Sequence, residues 1–206
     1  MATIIERVMG KMERHNNKIK LIPAKKTDLP AFQKELQEAF SVAVIESFGD
    51  VDSGPIPPDE VIAESFNGPQ AEVYHILLDD QKVGGVILNI NKENHHNSMD
   101  LIYISPQYHS KGIGLATWNA IEEKYPETEV WELVTPYFEK RNINFYVNKC
   151  GFHIVEFYNE HHPEPEGHRH GGEGEEGPMD EEAFFRFEKV MKQPLKCSCK
   201  GGHNVN

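Results

Sequence analysis

Cysteine is scarce in this chain: three in 206 residues, at positions 150, 197 and 199. So uneven a set cannot staple a small fold, and it points to a reducing compartment. No apolar run approaches the roughly 20 residues that cross a bilayer. The opening stretch, MATIIERVMGKMERHNN, carries charges throughout, where a secretory leader needs an uncharged apolar segment. The expectation is a cytoplasmic protein with no membrane partner. Basic charge is also short. Lys and Arg number 21 against 33 Asp and Glu, for a net charge of −12. Phosphate backbones are held by basic faces, so nucleic acid is excluded as the main partner. The acidity is local, however. Between 156 and 182 ten acidic residues face one arginine, Arg169, so that segment holds a net −9 and the remainder is only mildly acidic. No internal repeat is present, and one domain is expected at this length.

What is present is a regular alternation of strand and helix signals. Residues 3–14 place Ile4, Ile5, Val8, Met9 and Met12 at helical spacing, an N-terminal helical extension over 1–17. KIKLIPAK (18–25) alternates as a strand does. A helix then carries Leu29, Phe32, Leu36, Phe40, Val44 and Ile45 to about Phe48, with Asp28 as its cap and Pro30 in its first turn. After a Gly/Pro-rich loop, a short helix capped by Asp59 holds Val61, Ile62 and Phe66. Strands are expected at 71–79, 82–90 and 98–105, the first two as a hairpin. A helix runs to about Tyr125, where Pro126 stops it, then come a strand at 129–135 and a helix at 138–150. Gly151 ends that helix, and strands at 152–159 and 183–191 follow. The segment 160–182 is too rich in His, Glu, Gly and Pro to bury a core, and 192–206 reads as a tail. The sum is an α/β fold, a mixed sheet of about seven strands flanked by about four helices, with the domain spanning 18–191.

One stretch asks for a ligand. In IYISPQYHSKGIGLATWNAIEEKYPE (102–127) a strand ends at a proline, a polar loop with two glycines follows, and a helix begins. The first amides of a helix lack partners within it, and the dipole makes that end partly positive. Gly112 and Gly114 let a ligand come close to the main chain. Such a turn suits phosphate or diphosphate. It fits neither G-x-x-x-x-G-K-[ST] nor a dinucleotide G-x-G-x-x-G.

The run Ile104-Ser105-Pro106-Gln107-Tyr108-His109-Ser110-Lys111-Gly112-Ile113-Gly114 resembles the acetyl-CoA loop of the GNAT acetyltransferases, strand–x–P–x–x–(Q/R)–x–x–G–x–(G/A). A second signature, FYVNKCGF, supplies Tyr146 and then Gly151-Phe152 one helix, one strand and one helix later, as that family has it. The resemblance covers about 18–191. It implies a GNAT-like fold and acetyl-CoA as co-substrate, with no metal required.

The resemblance also implies roles. Amides from His109, Ser110, Lys111, Gly112, Ile113, Gly114 and Leu115 would cradle the diphosphate. The edge of Ile102, Tyr103 and Ile104 would pair with the pantetheine arm as an added strand, which needs that strand to part from 129–135. Tyr146 would protonate the departing thiolate, a job suited to a phenol that is neutral at pH 7. Two positions depart from the pattern. His109 stands where Gln or Arg is usual, and an imidazole there ties binding to pH near its reference value of about 6.5. Glu139 stands where an Asn is frequent, with Asn142 one turn further on. Glu139 and Asn142 are both candidates to touch the cofactor. For the base that deprotonates the acceptor, relatives that acetylate histones use a Glu where this chain has Ser98. Asp100, two residues on and on the same side of the strand, is the first candidate side chain, ahead of Glu46, with water or another residue as the alternative base.

The partner implied is a small-molecule or peptide amine, attacked directly without an acyl-enzyme. A homodimer is compatible with the family, and an acyl-CoA sensor with weak catalysis is the alternative reading. Outside this pattern, His161, His162, His168 and His170 among carboxylates could meet a transition metal, but their spacing matches no structural site and a solvated loop explains them. Cys197, Cys199 and His203 are weaker still, and Cys150 reads as packing.

Overall fold

A computed structural model describes residues 18–49, 54–109, 111–165 and 183–191. The expected extension 1–17, the tail 192–206 and most of the His/Glu tract lie outside the described residues. Seven strands form one mixed sheet: β1 (Ile19–Pro23), β2 (Ala71–Leu78), β3 (Gln81–Asn89), β4 (His96–Ile104), β5 (Val130–Pro136), β6 (His153–Tyr158) and β7 (Phe184–Val190). Their order across the sheet is β1-β2-β3-β4-β5-β7-β6. Neighbours are antiparallel except β4 and β5, which run parallel, as a strand–helix–strand crossover requires. Among the described residues four helices accompany the sheet: α1 (Leu29–Phe48), α2 (Asp59–Asn67), α3 (Ile113–Lys124) and α4 (Lys140–Phe145). The last continues directly into a π-helical turn, Tyr146–Cys150.

Two of the expected caps are corrected. Asp28 makes no side-chain cap on α1; its carboxylate instead accepts the Lys25 amide at 2.8 Å and meets His75 Nε2 at 3.1 Å. It closes a short 3₁₀ turn that precedes the helix. The cap of α2 is Pro58, and Asp59 is already helical, with its carboxylate taking a hydrogen bond from Gln37 at 2.7 Å. Both acids link elements rather than terminate one.

Side-chain alternation sorts the core onto the two faces of the sheet. Phe32 and Leu36 of α1, with Ile62 and Phe66 of α2, cover Ile87 and Tyr103 on one face. Phe32 meets the edges of Phe66 and Tyr103 at 5.4 and 5.2 Å between centroids. On the opposite face Trp118 and Ile121 of α3 pack with Val86, Leu88, Trp131, Phe152 and Phe187. Trp118 lies edge-on to Trp131 at 5.5 Å, and a Lys189 ammonium bridges Glu122 of α3 to the Cys150 carbonyl. Helices thus sandwich the middle of the sheet.

β3 and β4 are pressed close where the candidate site begins. A Cβ on Gly84 would run into the main-chain oxygen of Tyr103, and one on Gly85 would strike the rings of Phe32 and Tyr103. Only glycine fits there. Replacing Gly84 by alanine is expected to cost about 1–3 kcal/mol of stability, the usual penalty for overpacking. Urea unfolding of the variant checks this, and an unchanged midpoint would contradict the packing argument.

Candidate functional site

The parallel pair β4/β5 holds together for only three steps: His96 with Val130, Asn97 with Trp131 and Ser98 with Glu132. Beyond Ser98 the strands part. β4 stays paired to β3 as far as Ile104, and β5 stays paired to β7 as far as Pro136. The edge of β4 that faces β5, including Ile102, Tyr103 and Ile104, therefore has no strand partner on that side. The break coincides with an irregularity in β4. Ile87 pairs with Leu101 and Leu88 with Met99, so Asp100 is the extra residue of a bulge. The bulge resets the alternation: Met99 and Ile102 face the α3 side, whereas Leu101 and Tyr103 face α1.

The gap leads to the start of α3. Pro106–Tyr108 form a 3₁₀ turn, and Gly112 then caps α3 in the left-handed region at φ 75°, with no side-chain cap. The first intrahelical bond runs from the Ala116 amide to the Gly112 oxygen at 3.1 Å. The amides of Ile113, Gly114 and Leu115 thus have no acceptor in the helix. Space above Gly112 is open, since an added Cβ would touch nothing within 4 Å. Three details differ from the sequence reading. Gly114 is small because a Cβ there would lie 3.3 Å from the Phe145 ring, which makes it a helix-packing position. The His109 amide is taken by the Pro106 oxygen at 3.1 Å, so this residue offers its ring rather than its main chain. Lys111 folds back, its ammonium donating to the Gln107 oxygen at 3.1 Å and lying over the Tyr108 ring. Ser110 lies outside the described residues.

Tyr146 sits on the α3 side of the sheet, buried among Phe145, Phe152 and Phe187. Burial pushes its phenol well above the usual range, the nearby Cys150 and Glu139 push the same way, and a hydrogen bond with Thr135 opposes them. Thr135 is buried on β5, within the stretch that has left β4. The phenol is thereby held neutral at the wall of the gap. Asp100 lies on β4, where its carboxylate accepts the Ser98 hydroxyl at 2.5 Å. That bond confirms that both side chains share a face.

Glu139 and Asn142 lie seven and four residues before Tyr146, a spacing that puts them on its side of the helix. The Asn142 amide donates to the Glu139 carboxylate at 2.8 Å. Burial holds Glu139 above the usual carboxylate range; Arg141 pulls the other way, and Glu46 of α1 adds to the rise. The end of α1 reaches this point because Phe48 packs edge-on against Phe138 at 4.9 Å. Glu46 and Glu139 thus approach the gap from different elements. Thr135 escaped the sequence reading, although its two-residue spacing from Trp131 and Leu133 marks the buried face of β5. Arg141 also escaped it, and the signal was a cation in the first turn of a helix, where the dipole disfavours one.

The histidines that open the acidic tract do not converge. His162 bonds Glu156 at 2.9 Å and stacks on Tyr158, while His161 pairs with Glu160 at 3.1 Å. Among the described residues no three His, Cys, Asp or Glu side chains form a group able to hold a metal. Nor is any described helix long and apolar enough to cross a membrane.

A buried neutral phenol has a signature in alkali. The Tyr146 proton is held more tightly in the folded chain than in the unfolded one, whose phenols titrate near 10. The unfolded state therefore gains by ionising first, and the stability this burial lends is complete below pH 10 and lost above it. Tyr74, pushed up to about 12, adds to the same loss. Urea midpoints are expected to be flat up to pH 9 and to fall beyond 10, less steeply in Tyr146→Phe. Equal slopes would show the phenol to be better solvated than this geometry has it.

Comparison with known proteins places this geometry among relatives. A model described as the Acetyltransferase (GNAT) family matches residues 30–152. A Bacillus subtilis (strain 168) protein, uncharacterized protein YrkN, is 61% identical over 180 residues, covering 87% of this chain and 97% of its own. Among solved structures, the Escherichia coli ribosomal-protein-S18-alanine N-acetyltransferase superposes with a TM-score of 0.60 at 14% identity, over 87% of this chain and 98% of that one. A spermidine N-acetyltransferase from Vibrio cholerae, in complex with CoA and spermine, gives 0.57 at 14% identity, over 85% and 96%. Those two likenesses establish the fold.

Proposed function

The chain belongs to the GNAT acetyltransferase family, and from that premise we propose that it transfers an acetyl group from acetyl-CoA directly to a primary amine. The observation that carries the reading is the parting of β4 from β5 after Ser98 and Glu132. An extended amide-bearing arm is the natural occupant of such a gap. On that edge the main-chain groups of Ile102 and the amide of Ile104 point away from β3, with Tyr103 between them paired to Gly85, and they can pair with the arm as they would with a strand. The residues also fit the rest of the co-substrate. Open space over Gly112 and three amides without helical acceptors, Ile113 to Leu115, offer a seat for a diphosphate at the end of the gap. Asn142, on the Tyr146 side of α4, would meet the arm between these two ends.

In this reading the amine loses a proton to Asp100 and attacks the thioester carbonyl. The carbon–sulfur bond breaks as the amide forms, and Tyr146 gives its proton to the departing thiolate. Burial suits Tyr146 to the task, because a phenol held neutral can donate throughout the working pH range. The two neighbouring folds named for spermidine and for a ribosomal-protein alanine support an amine as acceptor.

Acetyl-CoA turnover across a panel of polyamines, amino sugars, small amines and N-terminal peptides tests the proposal. Tyr146→Phe is expected to lower kcat by about 100-fold or more while acetyl-CoA still binds, and Asp100→Asn to lower it by a similar factor. Binding of acetyl-CoA with no transfer to any amine would replace this reading with that of an acyl-CoA sensor.

A further inference from the structure

The diphosphate seat offers main-chain donors, yet the cations close to it in sequence turn away. Lys111 donates to the Gln107 oxygen. His109, where the family pattern has Gln or Arg, points back along the chain: its Nε2 lies 2.6 Å from the Ile104 carbonyl oxygen, at the end of β4. A carbonyl only accepts, so Nε2 carries the ring proton and Nδ1 presents a lone pair. Arg141 Nη1 lies 3.3 Å from that Nδ1. A guanidinium only donates, so the two contacts select one and the same tautomer. The imidazole is a relay between the last residue of the parted strand and a cation on α4.

Arg141 has donors to spare. A guanidinium has five N–H groups, and one is used on His109. Its side chain is exposed, and among the described residues it makes no ion pair; Glu139 feels its charge without closing one. Its place in the first turn of α4 is one the helix dipole disfavours, so the helix itself gives no reason for a cation there. A bidentate fork beside a phosphate seat does give one.

Resting on the acetyl-CoA reading above, we propose that Arg141, oriented by His109, binds the diphosphate of the cofactor opposite the amides of the α3 turn. The positive charge that an Arg at position 109 would bring comes here from α4. His109 is a positioning residue, and Arg141 is the one that touches phosphate.

Calorimetric titration of the full chain with CoA and with dephospho-CoA, which keeps the diphosphate and lacks the 3′-phosphate, tests this. Arg141→Gln is expected to weaken both ligands by the same factor, roughly 10- to 100-fold, as befits hydrogen bonds to a charged group. Its binding is also expected to depend less steeply on salt, while the melting temperature without ligand stays put. His109→Ala is expected to lose part of the same affinity and His109→Gln to regain it, since an amide can donate to Ile104 and accept from Arg141. Unchanged affinity in Arg141→Gln would overturn the proposal. So would a loss seen with CoA alone, which would assign Arg141 to the 3′-phosphate. Failure of the unmutated chain to bind either ligand would instead sink the acetyl-CoA reading, and this proposal with it.

Discussion

Everything at the site depends on a parallel strand pair that stops after three steps. Main-chain N–H and C=O groups need partners, and a strand that leaves its neighbour exposes a row of them. Here the exposure is tolerated because each strand is secured on its other side. β4 is paired to β3 along Ser98–Ile104, apart from the bulged Asp100, and β5 to β7 along its whole length. The sheet is therefore two well-made blocks, β1 to β4 and β5 to β7, with a wedge between them. On one face the blocks share a core: Trp118 and Ile121 of α3 pack with Val86 and Leu88 of the first and with Trp131 and Leu133 of the second. On the other face Phe32 and Tyr103 hold the first block against α1. The wedge opens beside that shared core.

Polar chemistry gathers where the blocks separate. Asp100 belongs to the first and Thr135 to the second, with Tyr146 reaching Thr135 from above. Glu139, the residue that replaces an expected Asn, has burial and Glu46 raising its proton affinity and Arg141 lowering it. Arg141 in turn is tied through His109 to the Ile104 carbonyl, so the electrostatics of the gap and the end of β4 are linked by two hydrogen bonds.

Much of this was legible in the sequence, and the illegible parts have a common cause. Strands and helices came within a few residues of their positions, because Val, Ile and aromatic alternation around β2, β3 and β5 and the helical spacing of α1 are local signals. The glycine turn before α3 was equally local. What escaped depends on pairing across the fold. No composition cue marks Asp100 as a bulge; only the register with Ile87 and Leu88 does. Asp28 and Asp59 had the chemistry of caps, yet His75 and Gln37, distant in the chain, claimed them. Gly114 read as room for a ligand, and the Phe145 ring against it gives the missing Cβ a packing reason that only the fold reveals. A helix was expected through Cys150, and its last five residues widen into a π turn, where the Tyr146 ring meets Phe152.

The three-step seam has a mechanical meaning. Where so few ladder bonds join two plates, the packing of α3 across both carries what the ladder does not. On the acetyl-CoA reading, a bound arm along Met99–Ile104 would act as a spar, carrying load from one plate to the other. Part of the rigidity of the sheet would then arrive with the reagent and leave with the thiol.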